Sequence, residues 1–568
     1  MTRRILALSC SVGALAMGLG ALVSVGPFAR TAAHAAGPGL ACSVDAIQAA
    51  APPDTVVFSA DRVATPVPHC KVEGFVTSTN PGPNRNYFRL QLPAKENWKG
   101  RFYFIGLGGS AGYVPTNSQF PAGNPMVKGF AVAGTDTGHR GDLLDWRFLD
   151  DPAKMLDHKN RGGHLTTVAA QAITKAYYGV TTMYRYHSGC SGGGRMGGEA
   201  LTHYPEDYDG VLLGERSGIS NNKHLEFSNY RFIHNAQAMN REPGAWLSPA
   251  KLKMTEQKVT AACDASDGAV DGIVWDHRAC KFDFNTIKCK AGDGPDCLTQ
   301  PEITSIKAIL DGPRGPDGQR FGVGWPITNM STWSGFLGQN PPPWTLSPSA
   351  ADRDRTAATH IIPYTRGTAI FGADFDPLKV DLRDKTIIDR WEQSARTLGF
   401  TEVPNPTGYE RAGGKLMLFV GVSSPCCSNL EMMEWVDRFT RELGPARANN
   451  FMAMYQAPGV GHCFGGPGPQ DGADVVLQAL ADWVEKGKRP GGIVAHRGAE
   501  RVKLIFAADT DVPALPLELT GGKPLPKPLE NGQTRDFLLC PYPQKSVFDR
   551  SKAGVPGAVF EAANWSCK

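Results

Sequence analysis

Residues 184–200, YRYHSGCSGGGRMGGEA, join an aromatic, apolar run to a helix-compatible segment through Gly189-Cys190-Ser191-Gly192-Gly193. A G-x-S-x-G turn between strand and helix projects its serine hydroxyl, and the glycines tolerate the unusual backbone angles and close approaches this needs. Ser191 is thereby a candidate nucleophile, and Cys190 beside it asks for a partner. Glycine- and serine-rich turns are common, so the reading depends on what else the chain supplies: a base, an oxyanion hole, an acid and a second cysteine.

The segments around this turn alternate between strand and helix. RFYFI at 101–105 is a short aromatic strand that runs into Gly106-Leu107-Gly108-Gly109-Ser110-Ala111-Gly112, whose backbone N–H groups can cradle an anion. A second strand at 129–134 precedes Thr135-Asp136-Thr137-Gly138-His139, and 165–178, LTTVAAQAITKAYY, has helical periodicity that stops at Gly179. DGVLLG at 209–214 is apolar throughout, as expected of a strand buried on both faces. The pattern resumes with KLMLFVG at 415–421, a helix near 429–443, a strand at 451–456 and a helix at 473–486. Such alternation implies an α/β layer architecture around a mainly parallel sheet.

Three regions depart from the alternation. Residues 41–92 read as β-rich and irregular. Residues 216–414 are rich in Pro, Gly and Trp and read as a large lid inserted between two sheet strands, with Trp325, Trp333, Phe336 and Trp344 as candidate pocket residues, each with packing in the lid core as the alternative. The tail to Lys568 is Pro-rich and reads as a surface wrap. The expected organisation is therefore a leader at 1–35, a first core part at 36–215, the lid at 216–414, and a second core part with the tail at 415–568.

The leader has Arg3 and Arg4 before an apolar run from Ile5 to about Val25, then Ala33-His34-Ala35 as a small-x-small cleavage site. This predicts a signal peptide and a secreted or periplasmic protein with no stable membrane anchor after cleavage; an uncleaved anchor is the rival reading. The formal charge of +4 falls to +1 without Arg3, Arg4 and Arg30, which argues against a nucleic-acid partner. Thirteen cysteines less Cys10 of the leader leave an even number, as disulfides in an oxidising compartment require. Cys42 with Cys70, Cys263 with Cys280, Cys289 with Cys297, and Cys540 with Cys567 form natural pairs. Cys190, Cys463 and the adjacent Cys426-Cys427 remain; the last two read either as a vicinal disulfide or as two thiols. No CxxC…CxxC spacing favours zinc. Nothing in the sequence sets the oligomeric state.

His462 lies in a Gly-rich loop after the strand at 451–456, where the base of a serine hydrolase of this architecture follows its nucleophile. Cys190-Ser191 and His462-Cys463 are mirror-image dipeptides, so a Cys190–Cys463 disulfide would bring Ser191 and His462 together. In the lid, Cys263-Asp264-Ala265-Ser266-Asp267-Gly268-Ala269-Val270-Asp271-Gly272-Ile273 spaces three aspartates among glycines. That loop suits either a hard cation or a solvated turn.

GCSGGGR, the downstream YPEDYDGV at 204–211 and PGVGHCFGGPG at 458–468 resemble the tannase and feruloyl esterase family, including its terephthalate-monoester hydrolase branch. The resemblance runs from about Trp98 to Glu485. It implies an α/β-hydrolase fold with a large lid and hydrolysis of small aromatic carboxylic esters of feruloyl, galloyl or terephthalate-monoester type. It also implies Ser191 as nucleophile, His462 as base, Cys190–Cys463 as staple, and an oxyanion hole from the N–H groups of Gly192 and Gly109. A structural Ca²⁺ would be held by the Asp264, Asp267 and Asp271 side chains and the Ala269 and Ile273 carbonyls, with Cys263–Cys280 clamping the loop.

One departure bears on catalysis. The family's usual acid slot, after the strand at 415–421, holds Ser424, whose neutral hydroxyl cannot stabilise an imidazolium as a carboxylate does. Either the acid has moved, or the enzyme is a weak dyad, or the chain is a secreted binding protein for aromatic esters. Glu215, at the carboxyl end of the strand after the nucleophile helix, replaces a small residue and is the candidate relocated acid; its bland alternative is pairing with Arg216 or facing water. Asp471 and Glu431 are weaker candidates.

Overall fold

The computed structural model describes residues 39–110, 112–115, 125–216, 226–398, 403–498 and 534–568. The leader and its cleavage site lie outside the described residues.

Nine strands form one sheet in the order β1-β2-β3-β5-β4-β6-β7-β8-β9. They are β1 Thr55–Val63, β2 His69–Ser78, β3 Asn84–Pro93, β4 Arg101–Gly106, β5 Phe130–Thr135, β6 Tyr184–Cys190, β7 Gly210–Gly214, β8 Lys415–Gly421 and β9 Met452–Ala457. The six from β5 to β9 in that order are parallel, and β1, β2 and β3 extend one edge as an antiparallel meander. The region that reads as irregular is therefore a regular part of the sheet. Its burial alternates along β2 as one face packs and the other stays half-open, a period-2 signal that the intervening Pro-rich turns obscure.

The parallel strands are mostly buried because both faces are covered. Phe102, Phe104, Val211, Leu213, Leu416 and Leu418 pack on one side with Ala170, Ile173, Trp435 and Phe439 from helices Gly162–Tyr178 and Asn429–Leu443. Tyr103, Ile105, Leu212, Met417 and Phe419 point the other way, onto Val476, Leu480 and Trp483 of helix Gly472–Lys486. Fully burying one such side chain is worth about 1.5–3 kcal/mol, so two complete faces hold the strand ends in fixed relative positions. Among the described residues no helix is long and apolar enough to cross a membrane.

Between β7 and β8, which pair directly from Gly210↔Lys415 to Gly214↔Phe419, the chain leaves the sheet and returns after the inserted region. Its main helices are Phe227–Asn240, Pro249–Cys263, Gln300–Asp311, Ala358–Phe371 and Lys385–Leu398. Trp325, Trp333 and Trp344 are buried in the apolar cluster of this inserted region. Their indole rings supply the area that this insertion, helical among the described residues, needs for a core.

The tail is more than a surface wrap. Ile493–Arg497 (β10) pairs antiparallel with Arg535–Leu539 (β11), and their Ile493, Ala495, Phe537 and Leu539 complete the core beside Trp483. Among the described residues five disulfides join the pairs Cys42–Cys70, Cys190–Cys463, Cys263–Cys280, Cys289–Cys297 and Cys540–Cys567. Cys426 and Cys427 are buried free thiols with their sulfurs 3.3 Å apart.

Candidate active site

The candidate nucleophile, base and relocated acid gather at the carboxyl ends of the parallel strands, where ligands of open α/β sheets bind. Ser191 follows β6 with φ 58° and ψ −115°, outside the regions a serine ordinarily occupies. Its N–H donates to the Gly214 carbonyl at 2.8 Å and its own carbonyl accepts Arg195 N–H at 2.9 Å, so the strained turn is held from both sides. Glu215 (φ 39°) and Cys463 (φ 64°) are also non-glycine residues at positive φ. Strain of this sort persists only where surrounding contacts enforce it, and here three such residues meet at one sheet edge.

The glycines around Ser191 are close approaches. A Cβ on Gly192 would lie 2.7 Å from the Gly109 nitrogen and nearer still to its carbonyl oxygen. Backbone therefore packs on backbone between the β4 turn and the N-terminus of helix Gly192–His203. The β4 turn is itself braced: Ser110 N–H donates to Leu143 O at 2.8 Å, and His139 Nε2 lies 2.7 Å from Ser110 O. Burial lowers the His139 pKa to about 4, so this histidine is a neutral donor to that carbonyl. His139 is a positioning residue that the sequence presents only as the end of a turn; a polar residue straight after an apolar strand is the one signal of it.

On the other side of Ser191, the Cys190–Cys463 bond fixes the neighbours of Ser191 and His462 at a Cα separation of 5.9 Å across 273 residues of sequence. His462 Nδ1–H donates to Glu215 Oε2 at 2.9 Å, and Glu215 Oε1 accepts Gly421 N–H at 2.7 Å. The glutamate is fully buried. A Cβ on Gly421 would sit 2.9 Å from Glu215 Oε1 and closer to the Val460 and Gly461 carbonyls, so a glycine there makes room for the carboxylate. Ser424 Oγ also lies 3.2 Å from His462 Nδ1 and accepts Cys427 N–H at 3.3 Å. Arg216 pairs with Glu199 at 3.3 Å, not with Glu215. The weaker acid candidates are engaged elsewhere: Asp471 Oδ2 meets His496 Nδ1 at 2.7 Å, and Glu431 pairs with Arg231 at 3.2 Å.

Burial alone would disfavour the His462 imidazolium, but the Cys426 sulfur and the Glu215 carboxylate outweigh it and hold the His462 pKa above its ordinary value. The lid reaches the same ring. Phe336 meets His462 edge-on at 5.5 Å between centroids, and Thr328 Oγ1 is 2.9 Å from Ser423 Oγ. Of the four lid aromatics picked out in the sequence, Phe336 is the one that touches the site.

The acidic lid loop stands apart from these groups. Asp264 accepts the N–H groups of Asp271 and Gly272 at 3.1 and 2.9 Å, and Asp267 those of Ala269 and Trp275 at 3.2 and 2.8 Å. Asp271 accepts Ile273 N–H and Trp275 Nε1–H at 2.9 and 3.0 Å and forms an ion pair with Arg535 of the tail. Arg535 Nη1 also donates to the Asp271 carbonyl at 2.9 Å. Desolvation, reinforced by the neighbouring aspartates, pushes Asp267 up to about 6 and raises Asp264 as well.

A family model described as tannase and feruloyl esterase matches residues 70–567. The chain is 28% identical to a mono(2-hydroxyethyl) terephthalate hydrolase from Piscinibacter sakaiensis, across 92% of this chain and 88% of that protein. It is 27% identical to feruloyl esterase B from Aspergillus niger, across 72% and 76%. Among solved structures it superposes on feruloyl esterase B from Aspergillus oryzae with a TM-score of 0.70 at 19% identity, covering 91% and 97% of the two chains. A tannin acyl hydrolase from Aspergillus niger gives 0.68 at 19%, covering 93% and 95%. The structural likenesses establish the α/β-hydrolase fold.

Proposed function

The chain belongs to the tannase and feruloyl esterase family and is a carboxylic ester hydrolase, and from that premise we propose that it cleaves esters of aromatic carboxylic acids through an acyl-enzyme on Ser191. The observation that carries this reading is the 2.9 Å bond from His462 Nδ1 to Glu215 Oε2. It offers a carboxylate where Ser424 has none, which supports turnover over a binding protein that has lost it.

With Nδ1 committed to Glu215, the Nε2 lone pair of His462 takes the Ser191 hydroxyl proton as Oγ attacks the ester carbonyl carbon. The carbonyl π electrons move to oxygen, and the N–H groups of Gly192 and Gly109 receive that oxyanion; one such donor is worth about 10²–10³ in kcat. Collapse breaks the carbon–oxygen bond to the leaving alcohol, which takes the proton from Nε2. Water repeats the sequence, and the aromatic acid leaves. Glu215 holds the ring in orientation and stabilises the imidazolium formed in both halves; losing such a carboxylate costs about 10⁴. Phe336 forms an apolar wall beside His462, which suits an aromatic acyl group.

The acidic loop fits Ca²⁺ by its donor set: three carboxylates within one short loop, two of them hard to keep charged without a compensating cation. Asp264, Asp267 and Asp271 with the Ala269 and Ile273 carbonyls would hold it, and it would supply structural charge neutralisation between lid and tail. Export through the N-terminal leader is part of the same reading, and five disulfides fit an oxidising compartment.

A fluorophosphonate probe tests the reading: it is expected to label Ser191 in wild type and not in Ser191→Ala, and absence of label on folded wild-type protein overturns it. Rates on methyl ferulate, methyl gallate and mono(2-hydroxyethyl) terephthalate then rank the acyl groups.

A further inference from the structure

Cys426 and Cys427 make and break no bond in the ester chemistry, yet they stand against its base. Both are buried, their sulfurs are 3.3 Å apart, and with a ring nitrogen of His462 they form a set of three ligand atoms all within 4.8 Å of one another. Among the described residues this is the one such grouping of His, Cys, Asp and Glu. The thiols are held in place from several sides. Arg231 Nη2 donates to the Cys426 carbonyl at 2.8 Å, while Cys427 N–H donates to Ser424 Oγ. Both side chains also pack into the apolar cluster of the lid.

Two thiolates and an imidazole are soft and borderline donors, the set that d¹⁰ divalent ions prefer over Ca²⁺ or Mg²⁺. Metal–sulfur bonds of about 2.3 Å and a metal–nitrogen bond of about 2.1 Å in a tetrahedron place the donor atoms roughly 3.5–3.8 Å apart. The three donors need only small side-chain shifts to meet that spacing. A disulfide would instead require the sulfurs to close to about 2.05 Å.

We propose that Cys426, Cys427 and His462 form an inhibitory site for a soft divalent cation of the zinc and cadmium kind. Binding releases two thiol protons to solvent, so the two charges of the ion are met by two thiolates, and the neutral imidazole gives a lone pair. Coordination at Nε2 removes the acceptor for the Ser191 proton, and coordination at Nδ1 displaces the bond to Glu215. Either way the base is lost while the ion stays. The binding part stands on the geometry alone; the inhibitory part rests on His462 being the base proposed above.

The test uses the mature full chain with Ca²⁺ in excess and no reductant, so that the five disulfides stay intact. Thiol titration of the unfolded protein is expected to find two free thiols. Cadmium is expected to raise the ultraviolet thiolate-to-metal charge-transfer band with one ion per chain, to be displaced by zinc, and to lower ester hydrolysis at least tenfold, reversibly on adding a dithiol-free chelator selective for zinc over calcium. Cys426→Ser and the double variant Cys426→Ser/Cys427→Ser, checked for fluorophosphonate labelling as a sign of a folded site, are expected to lose the one-ion band and to give the same rate with and without cadmium. His462→Ala is expected to weaken cadmium binding at least tenfold, a readout that needs no turnover. No free thiols, no band, or a band unaffected by His462→Ala overturns the site; a band with full hydrolysis in wild type overturns its inhibitory role. An enzyme that hydrolyses none of the esters even without metal fails the proposed function instead, and the His462→Ala titration still decides the site.

Discussion

The two sides of the sheet edge that flank Ser191 are built on different principles. Toward β4 the surfaces are backbone against backbone: Gly109 and Gly192 approach so closely that neither tolerates a side chain, and the turn is tied by main-chain bonds and by His139. Toward β7, β8 and β9 the contacts are made by side chains: Glu215, Ser424, Cys426, Cys427 and His462. The first side has little freedom to change, because a single Cβ would push the β4 turn and the start of the helix apart. The second can be rewired. Neighbouring strand ends lie about 4.8 Å apart, so one longer side chain from β7 reaches the nitrogen that a residue after β8 also faces. His462 Nδ1 sees both positions, with Glu215 Oε2 at 2.9 Å and Ser424 Oγ at 3.2 Å.

Ser191→Ala removes the atom both sides serve and should lower kcat by about 10⁶; a residual rate near wild type would show that neither side is catalytic. Glu215→Gln keeps the size of the side chain and removes the charge, and steady-state kinetics should show kcat down by about 10³–10⁴. Ser424→Ala should cost less than about tenfold by the same measurement, since a carboxylate remains. Equal losses in the two variants would mean that the acid has not moved. On the backbone side, Gly192→Ala should force the β4 turn away from the helix N-terminus and lower kcat by at least about 10²–10³, as the oxyanion donors are displaced.

The pH profile separates the sides more gently. His462 acts when neutral, and its pKa is held up by Cys426 and Glu215, so kcat/KM should rise with pH through an alkaline limb. Removing the sulfur in Cys426→Ser takes away part of that upward push. The limb should then move to lower pH, whereas Gly192→Ala should leave it in place. A profile unmoved by Cys426→Ser would detach the sulfur from the base. The smallest effect is expected far from either side. Calcium removal by a chelator should lower Tm by a few degrees, about 1–2 kcal/mol at roughly 2–4 °C each for a large domain. Arg535→Ala should make that dependence steeper by leaving Asp271 without its cationic partner.

Much of the backbone side was legible in the sequence. Gly106–Gly109 and Gly189–Gly193 are local patterns, and a turn that needs glycine can be read from the glycines themselves. Apolar strands such as GVLLG of β7 declare burial on both faces for the same reason. The lid aromatics were harder to place. Trp325, Trp333 and Trp344 carry the same local signature as Phe336, yet only Phe336 meets His462, because facing a core or a pocket depends on how the lid helices cross. The tail misled in a similar way, since its prolines hide the Arg535–Leu539 strand that closes the core.

The sequence by itself determined the strand-turn-helix at Ser191, the alternating α/β core, four of the cysteine pairs and the residues that stand at each strand end. These follow from local period, from turn chemistry and from the arithmetic of an oxidising compartment. Tertiary structure alone decided which oxygen holds His462, and that two free thiols stand beside it. Glu215 and His462 are 247 residues apart, and their 2.9 Å bond exists because β7 and β9 flank β8 in one sheet. Sequence pattern encodes what each residue can do locally, whereas proximity across a sheet is set by strand order and by the packing of both faces.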